Sequence, residues 1–288
     1  MEKPLIFLVA NRNCTLQKGF PIVLAGGIIL KQIQDDHLGS IIGFRSSLAS
    51  IVTPKKKCFL IPHDHDAIAT HTLENISLCL SFSLNFFADE GAITCDRVFT
   101  TEKKRKFKIL RETPLANRIL SSEAGDIDFK LKNAAKSKEI DTVLVSSLKS
   151  VNSDKSMVIT LDRFVSGIIR SDFPSRVIDM AICLESLFSS SQEIKFRFSL
   201  YNAIISTIEI DKRDPAFELM KILYDARSAI VHGGEVKNKE KLEDEWEKIV
   251  DIAKLSILYK MNFLTVRNKT EWDNHLNKLI LGTEQRVA

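Results

Sequence analysis

The chain has 288 residues but only five cysteines, and Cys14, Cys58, Cys79, Cys95 and Cys183 are scattered, odd in number and without a C-x-x-C pair. That pattern argues against a disulfide framework or a cysteine zinc site, and it fits a reducing cytoplasm. Nowhere do eighteen apolar residues run uninterrupted, and the start, MEKPLIFLVANRN, has only a short apolar run and no small-residue cleavage site. A soluble protein with no membrane span is expected. No glycine-rich phosphate loop precedes a helix, and Gly26-Gly27 belongs more naturally to a hairpin. No serine or cysteine shows a nucleophile elbow or a recognisable partner spacing.

What charge there is lies unevenly. The net charge is +4; residues 1–150 hold 21 Lys+Arg against 16 Asp+Glu, whereas residues 151–288 hold 20 against 21. The excess concentrates in Lys55-Lys56-Lys57 and in KKRKFK, where Lys103, Lys104 and Arg105 form a basic turn able to meet phosphates. A solvated turn is the plainer reading of both runs.

The pattern along the chain changes near the middle. Before about residue 150, strand-like runs (FPIVLAGGIILKQI, KKKCFLIP, and AITCDRVFTT with RKFKILRE around the basic turn) mix with one helical stretch, THTLENISLCLSFSLNFFADEG. From about residue 156, helical periodicity takes over at roughly 156–171, 174–190, 192–207, 214–232, 239–264 and 270–282. SSLKSVNSDKS, residues 146–156, reads as a linker. The expected class is α+β: a mixed α/β-strand domain over 1–150, serving recognition or regulation, then an all-α bundle over 151–288.

Within that helical half, LYDARSAIVHGG sets an arginine into an apolar stripe. Met220, Leu223, Tyr224, Ile230 and Val231 fall three, four or seven positions from Arg227, and Phe217 ten, which predicts a buried guanidinium in need of a carboxylate or an anionic ligand. Glu185, set among Ile178, Ala181, Ile182 and Phe188 at helical spacing, is the best candidate partner. His232 precedes Gly233-Gly234 and marks the last turn of its helix. On the residues alone, Arg227 can be a salt-bridge partner and His232 a helix cap. Arg197, on the preceding helix, can contact RNA or fix the bundle.

The R-x4-H pattern formed by Arg227 and His232, with Tyr224 three residues before the arginine, the HGG ending, the upstream RVIDMAICLESLFSS and the helix containing IKFRFSLYNAII, resembles the HEPN superfamily, specifically its Apea-like branch, over about 130 residues. The wider superfamily often has Asn, Asp or His immediately after the arginine; here it is Ser228, which suits that branch. The resemblance implies a metal-independent ribonuclease without cofactor, of a kind often found in toxin–antitoxin or antiviral defence systems, with its active site assembled across a homodimer. It carries catalytic roles to Arg227 and His232 only. The implied partners are RNA, a second copy through the C-terminal domain and a regulatory protein. Some members are noncatalytic interaction modules binding RNA or protein, which is the alternative reading.

The chemistry is coherent from below. Cleavage of RNA by its own 2′-hydroxyl needs a base, an acid and positive charge at the phosphate. Imidazole titrates near neutrality, and guanidinium keeps its charge while donating two parallel hydrogen bonds. A third reading, a metal-dependent enzyme on His63, His65 and His71, rests on HDHD at 63–66; a polar turn after Pro62 accounts for it more simply.

Overall fold

A computed structural model of the protein describes, with their side chains, residues 71–72, 74–88, 138–188 and 193–284. The chain divides into two compact units, Met1–Leu148 and Lys149–Ala288. The division falls inside a helix. Backbone strands are traced only outside the residues described with side chains, between Leu5 and Leu131, the longest pair being Cys95–Glu102 antiparallel to Lys106–Glu112. The described residues are 81% helical with no strand or sheet among them. Among the described residues the class is therefore all-helical, and the expected α+β class is corrected for them. The hairpins expected at FPIVLAGGIILKQI and around the basic turn lie outside those residues.

In the first unit the described core is α1 (Leu73–Phe86), capped by Thr72, whose side chain accepts from the backbone N–H of Asn75. Its burial is not confined to one stripe: Ile76, Leu78, Cys79, Leu80, Phe82 and Leu84 are buried, and so are Ser77, Ser81, Ser83 and Asn85. The helix meets the cost of the polar members internally. Ser81, Ser83 and Asn85 donate to the carbonyls of Ser77, Cys79 and Ser81, each four residues back. Burial pushes the Cys79 thiol up to about 12, against a lowering hydrogen bond with Ser147, so this cysteine is an inert core residue.

The expected linker is helix α2 (Ser137–Ser153). Its serines obscured the periodicity of Ile140, Val143, Leu144, Leu148 and Val151, all of them buried. Serine tolerates this setting by donating backward, as Ser147 does to the Leu144 carbonyl.

The second unit is built from α3 (Ser156–Ile169), α4 (Phe173–Glu185), α5 (Ile194–Ser206), α6 (Arg213–Val231), α7 (Lys239–Asp244), α8 (Trp246–Val266) and α9 (Trp272–Ile280). The two local decisions that matter most are at the α3–α4 turn and along their contact. Asp172 caps α4 by accepting from the Ser175 N–H at 2.9 Å, with Pro174 in the first turn, where its missing N–H is harmless. Gly167 lets α3 and α4 approach closely: a Cβ there would lie 3.3 Å from Met180 Cε and from the Met180 backbone nitrogen. The single helix expected over 239–264 is interrupted at Glu245, whose N–H turns back to Lys241, and Trp246 then lies beneath the Arg176 guanidinium at 4.3 Å.

Two charge clusters sit within this apolar frame. Asp179, 3% exposed, receives Arg163 at 2.6 Å on one oxygen and Arg170 at 2.5 Å on the other. Lys260, 3% exposed in the middle of α8, pairs with Asp154 at 3.0 Å and donates to Ser156 Oγ at 3.2 Å and to the Leu187 carbonyl at 3.0 Å. The same carbonyl accepts from Trp272 Nε1 at 2.8 Å, and Lys269 holds the other Asp154 oxygen at 2.8 Å. Burial alone would raise the Asp154 carboxyl, but the hydrogen bond from Lys269 and the Lys260 charge outweigh it and hold it well below the usual carboxylate range. Burial in turn lowers Lys260, with Asp154 opposing.

Candidate functional site

Helix α6 buries Ala216, Leu219, Met220, Leu223 and Ala226, a stripe of period three and four. Arg227 is the next residue after it. Here the sequence expectation of a buried guanidinium needs correcting: the Arg227 side chain is 27% exposed and that of Glu185 34%. The two do meet, with Arg227 Nη2 at 3.6 Å from Glu185 Oε2 at the end of α4. This is an ion pair beyond hydrogen-bonding distance, and at such exposure it contributes about 0–1 kcal/mol. The guanidinium is thus placed but weakly engaged. Its Nε is enclosed and makes no hydrogen bond, and its Cζ lies 5.8 Å from the centre of the Tyr224 ring.

Tyr224, one turn earlier on α6, is held by Phe198 of α5, ring centres 5.4 Å apart. It forms a firm neighbour for the arginine rather than a reacting group. Ser228 is half-buried, and its carbonyl accepts the His232 N–H at 3.1 Å. Arg197 is half-buried on α5, and among the described residues it joins none of these contacts. Lys103, Lys104 and Arg105 lie outside the described residues, as do His63 and His65. Among the described residues no group of three His, Cys, Asp or Glu is arranged to hold a metal ion.

His232 is the C-cap of α6 and is exposed. The chain turns away immediately after it because Gly233 adopts φ 71°, a conformation that side chains rarely take. The Gly234 N–H bonds to the Ala229 carbonyl at 2.7 Å and the Gly233 N–H to the Ile230 carbonyl at 3.3 Å, the paired bonds of a Schellman ending. The two glycines therefore have a local structural reason independent of any reaction. Their effect is to leave the imidazole at a helix C-terminus, exposed to water.

The structure brings Arg227, Glu185 and Tyr224 together and sets His232 at the end of the same helix. Five residues place the arginine and histidine about 140° apart around α6 and roughly 7.5 Å apart along it. What the arrangement offers chemically is a partly exposed fixed cation in the last turns of a helix that ends at an exposed imidazole. Sequence reasoning missed the Asp154–Lys260–Lys269 cluster, although the signal was present: Lys260 interrupts Ile257, Met261 and Leu264 at helical spacing, as Arg227 interrupts its own stripe. It also missed a groove on α5 and α6 lined by Phe196 and Phe217. Comparisons with protein-family models, with curated proteins and with solved structures found no match for this chain.

Proposed function

We propose that the protein is a metal-independent endoribonuclease of the HEPN type, acting as a homodimer. The observation that carries the reading is the state of Arg227: a guanidinium 5.8 Å from the centre of the Tyr224 ring, on a side chain 27% exposed, its carboxylate partner too distant for a hydrogen bond. A guanidinium held this loosely can exchange its carboxylate for a phosphate, to which it donates two parallel hydrogen bonds. In this reading neutral His232 of one copy removes the proton from the ribose 2′-hydroxyl. The 2′-oxygen attacks phosphorus, the bond to the 5′-oxygen breaks, and protonated His232 of the second copy supplies the proton to that oxygen. Arg227 neutralises the charge on the phosphate as it crowds. The products are a 2′,3′-cyclic phosphate and a 5′-hydroxyl.

No helix among the described residues is long and apolar enough to cross a membrane. A cytoplasmic role as a defence or stress effector, under a regulatory protein, belongs to the same proposal and rests on the resemblance of LYDARSAIVHGG and its flanking helices. The test is cleavage of mixed RNA in EDTA by wild-type protein, His232→Ala and Arg227→Lys, with melting temperature measured alongside. Loss of cyclic-phosphate ends by roughly a hundredfold or more in both variants, with folding intact, is expected. Wild-type cleavage by both folded variants would sink the catalytic reading and leave an interaction module.

A further inference from the structure

On the face of α6 that leads to His232 there is an aromatic groove that no reading above uses. It has a volume of about 600 Å³ and is lined by Glu193, Ile194, Lys195, Phe196, Phe217 and Lys221. Phe196 is 52% exposed, a costly setting for a phenyl ring, and it meets Phe217 edge to face with ring centres 5.9 Å apart. Lys221 holds its ammonium 5.3 Å from the centre of the Phe217 ring. The rim carries both signs: Lys195 pairs with Asp225 at 2.6 Å and Lys221 with Glu218 at 2.9 Å. Both pairs are exposed and worth little, so either partner is available to a ligand.

The position of the groove follows from helix geometry. Phe217, Lys221, Tyr224, Ser228 and His232 succeed one another at spacings of four, three, four and four residues, which places them on one ridge of α6. The ridge runs roughly 22 Å from the aromatic pair to the exposed imidazole. Arg227 lies at its edge.

We infer that this groove is a base-stacking subsite for single-stranded RNA, receiving a nucleobase a short distance along the strand from the phosphate held at Arg227 and His232. The inference rests on the ribonuclease reading for its ligand and deepens it. A nucleobase suits the groove on two independent counts. Its flat π face stacks on an exposed phenyl ring whatever its identity, and its edge presents donors and acceptors together, which a rim of paired lysines and carboxylates can satisfy. A lipid tail has no use for such a rim, and the lining itself is mostly apolar, with Ile194, Phe196 and Phe217 against Glu193, Lys195 and Lys221. In this assignment the phenyl rings take the base, the lysines of the rim can meet its edge, and the scissile phosphate lies farther along the ridge.

The experiment uses the full chain and a fluorescein-labelled 2′-O-methyl oligoadenylate of about 12 nucleotides, which spans such a site and resists cleavage. Fluorescence anisotropy should show Phe196→Ala binding about tenfold more weakly and Phe196→Trp at least as tightly as wild type, the size expected for one lost stacking contact. Phe196→Leu, which keeps the apolar volume but not the π face, should bind like the alanine variant. Near-wild-type binding by folded Phe196→Ala overturns the inference. So does near-wild-type binding by Phe196→Leu with loss in Phe196→Ala, because that result describes an apolar docking site for a protein segment. Failure of the two readings is distinguishable. Phe196-dependent binding by a protein that does not cleave RNA supports the subsite and removes the nuclease, whereas cleavage dependent on Arg227 and His232 with binding indifferent to Phe196 removes the subsite alone. Wild-type protein that does not bind the oligonucleotide overturns the subsite.

Discussion

Replacing Asp154 by asparagine isolates the charge at the most buried ion pair among the described residues of the second unit. The two side chains have nearly the same shape, and asparagine retains an oxygen for the Ser156 N–H, which Asp154 accepts at 2.9 Å. What disappears is the counter-charge for Lys260, a side chain only 3% exposed, left with the neutral oxygens of Ser156 and Leu187. Stranding one member of a buried pair costs about 3–5 kcal/mol. Burial already lowers the Lys260 pKa, so the lysine can shed part of the cost by releasing its proton, and about 3 kcal/mol is the expected loss. For a unit of this size that corresponds to a melting temperature lower by about 10 °C. Lys260→Met should cost roughly half as much, because Asp154 keeps Lys269 at 2.8 Å, and that lysine is half-exposed. The asymmetry is the sharp part. Denaturant and calorimetric unfolding of the full chain would measure it; a loss below about 1 kcal/mol for Asp154→Asn, or a larger loss for Lys260→Met, would refute the assignment. The pH dependence follows in sign from the lowered Asp154 pKa. Its contribution is complete above the unfolded carboxylate value of about 4 and is lost as pH falls through the depressed folded value. Asp154→Asn should flatten that part of the acid limb.

Two further outcomes follow from the same geometry. Asp179→Asn removes a buried carboxylate with two arginine partners, but Arg163 and Arg170 are both about a quarter exposed and can return to water; a loss of about 1–3 kcal/mol by denaturant titration, no larger than for Asp154→Asn, is expected. Gly233→Ala should cost about 1–2 kcal/mol, because an added Cβ meets nothing within 4 Å and the penalty is that of the φ 71° conformation alone. A loss beyond about 2 kcal/mol would show that the α6 ending does more than turn the chain.

The helical half is legible because its apolar residues repeat at three and four, and α3 to α9 follow that repeat. The same rule misjudged two places for identifiable reasons. Residues 146–153 look like a linker because serine is read as a turn residue, yet serines in a buried helix donate to their own backbone, a possibility that composition does not display. Arg227 looks buried because periodicity gives the angle of a side chain around its helix but not how far the neighbouring helix reaches over it. Glu185 was found as its partner from spacing alone; the 3.6 Å separation and the exposure that makes the pair weak were not accessible that way. Phe196 carried no signal at all. An exposed phenylalanine is identical in sequence to a buried one, and only the course of α5 beside α6 shows that its ring is left in a groove.

One consequence concerns the Leu187 carbonyl, the common acceptor for Lys260 Nζ and Trp272 Nε1. Because the acceptor is a main-chain oxygen, no exchange of the residue at 187 deletes it. A mutational scan would register Lys260 and Trp272 as polar determinants, while position 187 would score only for the volume of its fully buried side chain. The atom on which three segments of the chain converge would thus be silent to genetics. Its importance would surface only through a backbone change, such as an amide-to-ester replacement between residues 187 and 188, which weakens that carbonyl as an acceptor without altering the side chains.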